Sequence, residues 1–313
     1  MSGWNESRRT WLRGLAMAPL LPLLPTRSTA AEPRSLQPGR VWNGGRIVQR
    51  PNAAGFPDPG MGGIGPITLF VFPVAVAVAP TGDIYLADAG LGAIFRIDPM
   101  LETMRAISGI RASQQTRLAV TADGSLVVAS GSAAPLVRID RSGRLVQFIN
   151  QLPGAGTYYD EIAVDQASGR YYGLDKVQRR LEEVMPHGHG GVLLPQQAVP
   201  ELPSAMAMAE GRIYLAGRAC QCIVAVDTFG GRDVEVIADE AGQSIGLAAG
   251  DGWLAALDGR ERVLRVWRGG ALVAESEFAG LGLIDPRGLA IAQQTLYVAD
   301  GASRRLLSFR LRA

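Results

Sequence analysis

The sequence predicts an all-β fold, a ring of six four-stranded antiparallel blades closed by an N-terminal strand. Three observations predict it. A pair of short apolar strands recurs six times. Each pair is followed by a third apolar run and, in most units, a glycine turn. Gly (39) and Pro (19) are spread over 313 residues without a collagen period, as a turn-rich chain requires. With 47% hydrophobic and 19% charged residues, the composition excludes a disordered or solvating chain. The first 30 residues carry a net +3, so removing them turns the formal +2 into −1. No polybasic surface then remains for nucleic acid or an anionic membrane.

Residues 1–30 read as an export signal. Ser7-Arg8-Arg9-Thr10-Trp11-Leu12-Arg13 resembles the twin-arginine pattern. Residues 14–24 are apolar but too short to span a bilayer, and Ser28-Thr29-Ala30 supplies the small residues before a cleavage site. No later run is long and apolar enough to cross a membrane. The expectation is a periplasmic or secreted protein that does not span the membrane.

Residues 31–72 read as the closing strand and a Gly/Pro-rich loop. Gly45-Arg46-Ile47-Val48-Gln49 repeats the outer-strand run Gly143-Arg144-Leu145-Val146-Gln147. The last unit ends on its third strand, so residues 45–49 are expected to supply its fourth and leave no open edge. Residues 51–63 are too rich in Gly and Pro for a strand or helix. They read as a linker, or as a flap over one mouth of the ring.

Residues 73–313 carry the repeat. Taking Tyr85, Val127, Tyr172, Tyr214, Ala255 and Tyr297 as equivalent gives spacings of 42, 45, 42, 41 and 42. Four short strands at such a period mean propeller blades, because one small sheet cannot bury both faces alone. The best-formed units are Pro286-Arg287-Gly288-Leu289-Ala290-Ile291 with Leu296-Tyr297-Val298-Ala299-Asp300, and residues 73–98. They resemble the NHL-repeat family of six-bladed propellers. The resemblance specifies a fold, not a function. It also implies that inner-strand starts and the loops between second and third strands share one face.

At the inner-strand start, most units hold Ala75, Ala205, Gly246 or Gly288, where blades converge. Arg117 and Glu161 break that rule in adjacent units. Two readings compete: an ion pair tying two blades together, or a polar channel mouth. The mouth would bind a small polar ligand through Arg117, Tyr159, Asp160, Glu161, Asp175 and Arg287, with Tyr158 nearby. Asp88, Asp175, Asp258 and Asp300 recur at second-strand ends, which argues for turn capping over four catalytic acids. Cys220 and Cys222 are read as small buried side chains or an oxidised pair, with metal binding the weaker alternative. Bridging them would need a turn. His187 and His189 sit in a single turn on the opposite face, so one Cys/His metal site is not expected.

Three functions follow. The first is an exported, non-enzymatic propeller that binds a protein or small polar ligand in the cell envelope, or acts as a scaffold, through one face of the ring. It needs no cofactor. The alternative is a metal-dependent lactonase/esterase-like hydrolase. Six-bladed enzymes of that type hold a divalent cation with Glu, Asn and Asp, and Glu161 is the candidate carboxylate. Against it, the blades contain one asparagine, Asn150. A helper for a redox enzyme is the third, motivated by the export signal and the Cys-x-Cys pair.

Overall fold

A computed structural model describes residues 36–47, 67–100, 103–107, 109–130, 136–149, 159–185, 191–194, 196–229 and 233–312. Residues 1–30, read above as an export signal, together with Tyr158, Asn150, His187, His189 and residues 51–63, lie outside the described residues.

The described residues form six sheets, each built on four antiparallel strands, arranged as the blades of a ring. Blade 1 contains Pro73–Val78, Ile84–Asp88, Ala93–Asp98 and Thr103–Ile107. Blade 2 contains Arg117–Val120, Leu126–Ala129, Leu136–Ile139 and Leu145–Ile149. Blade 3 contains Glu161–Val164, Tyr171–Asp175, Arg180–Val184 and Val192–Leu194. Blade 4 contains Pro203–Ala209, Arg212–Gly217, Cys222–Asp227 and Val234–Ala238. Blade 5 contains Ser244–Gly250, Trp253–Asp258, Val263–Arg268 and Ala271–Glu277. Blade 6 contributes Pro286–Ala292, Thr295–Asp300 and Arg305–Arg310. A 3-10 turn, Ala279–Leu281, joins blades 5 and 6.

The six aligned positions share one register. Tyr85, Val127, Tyr172, Tyr214, Ala255 and Tyr297 face Ala77, Ala119, Ala163, Ala207, Ala248 and Ala290 of their inner strands. A one-residue slip would send each apolar set to the other face of its sheet, so burial fixes this register. The core divides into six apolar clusters, one at each seam between neighbouring blades. Each thin sheet is therefore buried on both faces by its neighbours.

An N-terminal strand closes the ring, but not the one expected. Gln37–Trp42 pairs antiparallel with Arg305–Arg310 and completes blade 6. Ser308 Oγ accepts from Arg40 N at 2.7 Å, and a Cβ on Gly39 would lie 2.7 Å from that same oxygen. Trp42 is buried, stacks on Tyr297 and packs in the cluster between blades 6 and 1. Gly44–Ile47 lies one blade on. It runs parallel to the outer strand of blade 1 and antiparallel to Ile67–Leu69, giving that blade six strands. The turn at Gly44, with φ +151, puts Thr68 O 2.0 Å from where a Cβ would stand, so the crossing needs glycine. The repeated motif marked a strand but not its place: Gly44–Ile47 lies between Thr103–Ile107 and Ile67–Leu69 in blade 1, not in blade 6. The burial of Trp42 decided which segment closes the ring.

Candidate channel-mouth site

The inner strands line a channel along the ring axis. Its waist is aliphatic, built by Leu118, Ile162, Met206, Leu247 and Leu289 around a cavity of about 140 Å³. At the inner-strand starts the blades nearly touch. A Cβ on Gly288 would lie 2.8 Å from Ala75 Cα and 3.0 Å from Val74 O. Small residues are a steric requirement there, which makes the two large side chains informative.

Arg117 and Glu161 meet across the seam between blades 2 and 3. Arg117 Nε donates to both carboxylate oxygens of Glu161 at 3.0 Å. Lys176, the only lysine, donates from Nζ to Glu161 Oε1 at 2.7 Å. Arg117, Glu161 and Arg287 line one opening of about 80 Å³. Arg287 pairs with Asp285 at 2.9 Å, and half of its side chain is exposed. Glu161 is buried, whereas the cations around it are partly exposed. The opening thus carries one sunken carboxylate beneath accessible positive groups. Both sequence readings describe part of this geometry: an inter-blade ion pair sits at a polar mouth.

The other three candidates are not lining residues of that opening. Tyr159 packs on Gly173, where a Cβ would fall 2.2 Å from its ring, and its hydroxyl donates to Glu182 Oε2 at 2.8 Å. Burial first, and then the hydrogen bond to Glu182, push the Tyr159 hydroxyl well above the usual phenol range. Asp160 accepts from Lys176 N at 2.8 Å, and Asp175 accepts from Val177 N and Gln178 N. These two carboxylates brace the turn that carries Lys176. Asp88, Asp258 and Asp300 brace their own turns in the same way.

Cys220 and Cys222 form a disulfide with a Cα–Cα separation of 5.1 Å. The turn this needs comes from Gln221, whose φ is +53. Both sulfurs are bonded to each other, so neither is available as a metal thiolate in this state.

Sequence reasoning missed Lys176, the opposite mouth and a buried arginine. Asp165, Glu210 and Asp251 stand at the opposite mouth, which opens into a cavity of about 450 Å³. Glu210 accepts from Gly252 N and Asp251 from Gln294 N, so each turn is latched to the next blade. The dipeptides Glu210-Gly211 and Asp251-Gly252 were the readable hairpin signal. Arg265 is buried on blade 5, bonded to Asp258 at 2.8 Å, Glu275 at 2.7 Å and also Glu261. Burial opposes its charge, but those carboxylates outweigh burial and hold it protonated. No periodic pattern marks it.

The donor set does not suit a divalent cation. Among the described residues Glu161 is the one carboxylate lining the opening, and two cations already hold it. Among the described residues, no three His, Cys, Asp or Glu side chains gather as a metal site needs.

No family model matches the chain, and no curated protein matches it. Solved structures do. A gluconolactonase from Xanthomonas campestris is similar with a TM-score of 0.60 at 15% identity, over 90% of this chain and 99% of that one. A catalytically inactive virginiamycin B lyase from Staphylococcus aureus with quinupristin gives 0.58 at 12%, over 89% and 99%. A nidogen/laminin complex gives 0.55 at 10%, over 69% and 85%. At these identities the likeness shows the six-bladed propeller fold. The neighbours include chains named as enzymes and a chain of a nidogen/laminin complex.

Proposed function

We propose that the protein works through the Arg117–Glu161 mouth, recognising a small anionic polar molecule. The carrying observation is that Arg117 and Lys176 both bond the buried carboxylate of Glu161, while Arg287, paired with Asp285, lines the same opening as Arg117. A guanidinium beside an opening offers paired N–H donors to a carboxylate or a polarised carbonyl. The aliphatic side chains of the waist beneath lower the local dielectric and strengthen such contacts. Val177, Leu202 and Ile284, exposed on loops of the same face, add apolar surface for the rest of the ligand.

The second reading makes the same mouth catalytic, as a lactonase- or lyase-like site. Neighbours named as a gluconolactonase and a lyase support it more than a passive scaffold. The chemistry of the donor set weighs against the metal-dependent form.

One experiment separates the readings. Gluconate and its lactone are titrated against the full chain, with and without calcium. Gluconate binding that disappears in Arg287→Ala supports the binding site. Calcium-dependent lactone opening above the spontaneous rate supports the hydrolase. Neither binding nor turnover removes the small-anion reading.

Export is part of the proposal. A disulfide in a short surface loop suits an oxidising compartment. Arg8→Lys with Arg9→Lys should hold the protein in the cytoplasmic fraction, and unchanged export would remove the twin-arginine reading.

A further inference from the structure

The geometry points to Cys220–Cys222 as a thiol–disulfide exchange site that accepts two electrons from a dithiol. The case rests on comparing one turn across the blades. In blades 1, 3, 5 and 6 the second strand ends in Asp88, Asp175, Asp258 or Asp300, and that carboxylate accepts backbone N–H groups of the turn that follows. Each of these turns closes on a residue of positive φ: Gly92, Arg179, Arg262 and Arg304. Blade 4 builds the same turn on Gln221, but Gly217 stands where the aspartate would be. Pro200 Cβ and Cys220 Sγ fill the space this leaves, 2.6 and 2.7 Å from where a Cβ on Gly217 would lie.

Three consequences follow. The turn forms in four blades without a disulfide, so the chain path does not require one. The stabilisation a disulfide gives by closing a loop grows with loop length, and a bridge from Cys220 to Cys222 closes the smallest kind of loop. Replacing aspartate by glycine also removes a carboxylate that would repel an incoming thiolate. Cys220 is exposed on the mouth face, while Cys222 packs partly against the seam between blades 3 and 4.

The step balances without another cofactor. A substrate thiolate attacks Cys220 Sγ, the Cys220–Cys222 bond breaks, and Cys222 leaves as a thiolate that takes a proton from water. The second substrate thiol, deprotonated, attacks its own sulfur in the mixed disulfide and expels the Cys220 thiolate. The substrate departs as a disulfide and the protein is left as a dithiol, reduced by two electrons. In the disulfide form Cys220 Sγ lies 3.5 Å from Gly217 O, a carbonyl that can accept the S–H once the bond opens. A low-molecular-weight disulfide such as oxidised glutathione regenerates the protein by the reverse exchange.

The test uses the full chain with dihydrolipoamide as dithiol and oxidised glutathione as regenerant, read by thiol alkylation and mass. Oxidised protein should convert one equivalent of dihydrolipoamide and gain two alkylatable thiols. Cys222→Ser should trap glutathione on Cys220, and Cys220→Ser with Cys222→Ser should abolish transfer while melting within about 3 °C of wild type. A disulfide that stays closed in about 10 mM reduced glutathione overturns the proposal. So does a double variant that melts more than about 10 °C lower, because the bridge is then a brace replacing the aspartate cap.

Discussion

Arg117 Nε lies 3.0 Å from both carboxylate oxygens of Glu161, across the seam between blades 2 and 3. The pair joins two inner strands that otherwise touch through aliphatic side chains, and it leaves its positive partner the more exposed of the two. Arg117→Met removes one of two cations holding a buried carboxylate. Unfolding in urea should show a loss of about 1–2 kcal/mol, between the values for exposed and buried pairs.

Glu161→Gln acts in the opposite sense on binding. It removes the negative charge that competes with an incoming anion for Arg117 and Lys176. Gluconate affinity measured calorimetrically should rise by about fivefold, or ~1 kcal/mol. A fall would mean that Glu161 contacts the ligand directly.

Gly288→Ala and Gly246→Ala form a matched pair. The Cβ at 288 would meet backbone, 2.8 Å from Ala75 Cα, whereas at 246 it would meet the end of Leu257 at 3.3 Å. Backbone cannot yield locally but a leucine tip can. The first variant should lose about 2–3 kcal/mol and the second under about 1 kcal/mol, compared by denaturant midpoints.

Asp83 sets an acid limit. Burial alone would raise its carboxyl, but hydrogen bonds from Arg96, Thr81 and Arg141 outweigh burial and hold it below the usual carboxylate range. The native state therefore binds this proton more weakly than the unfolded chain does. The stabilisation is complete above the unfolded carboxylate pKa of about 4, and it is lost as pH falls through the lower native value. Urea midpoints from about pH 6 to about pH 3 should fall less steeply in Asp83→Asn than in wild type.

Deleting residues 1–43 removes the closing strand and Trp42. The Arg305–Arg310 strand then presents an open edge, and the cluster between blades 6 and 1 loses its indole. The truncated chain should aggregate, or melt broadly in calorimetry, and sharp wild-type melting would show that closure is dispensable.

The aspartate that ends four second strands was legible as a cap because it recurs with the repeat, and a repeat shared by all blades marks scaffold. Arg117 and Glu161 were legible for the opposite reason, since bulk stands where convergence demands small side chains. Tyr159 was misplaced because its neighbourhood on the chain lies near the mouth. Its ring instead found the open face of Gly173, and a glycine's partner cannot be read from spacing. Lys176 carried no pattern of its own.

The number of blades, the register within each and the steric rule at the axis are all legible in the chain before it folds. Those follow from local periodicity and from the burial each strand needs, and both are written into every repeat. Folding around the ring sets which N-terminal segment closes it, which charges meet at the mouth, and that the two cysteines are joined. These are contacts between residues far apart in the chain or across a turn of unusual φ. Their partners are chosen by packing around the ring, after the strands themselves are settled.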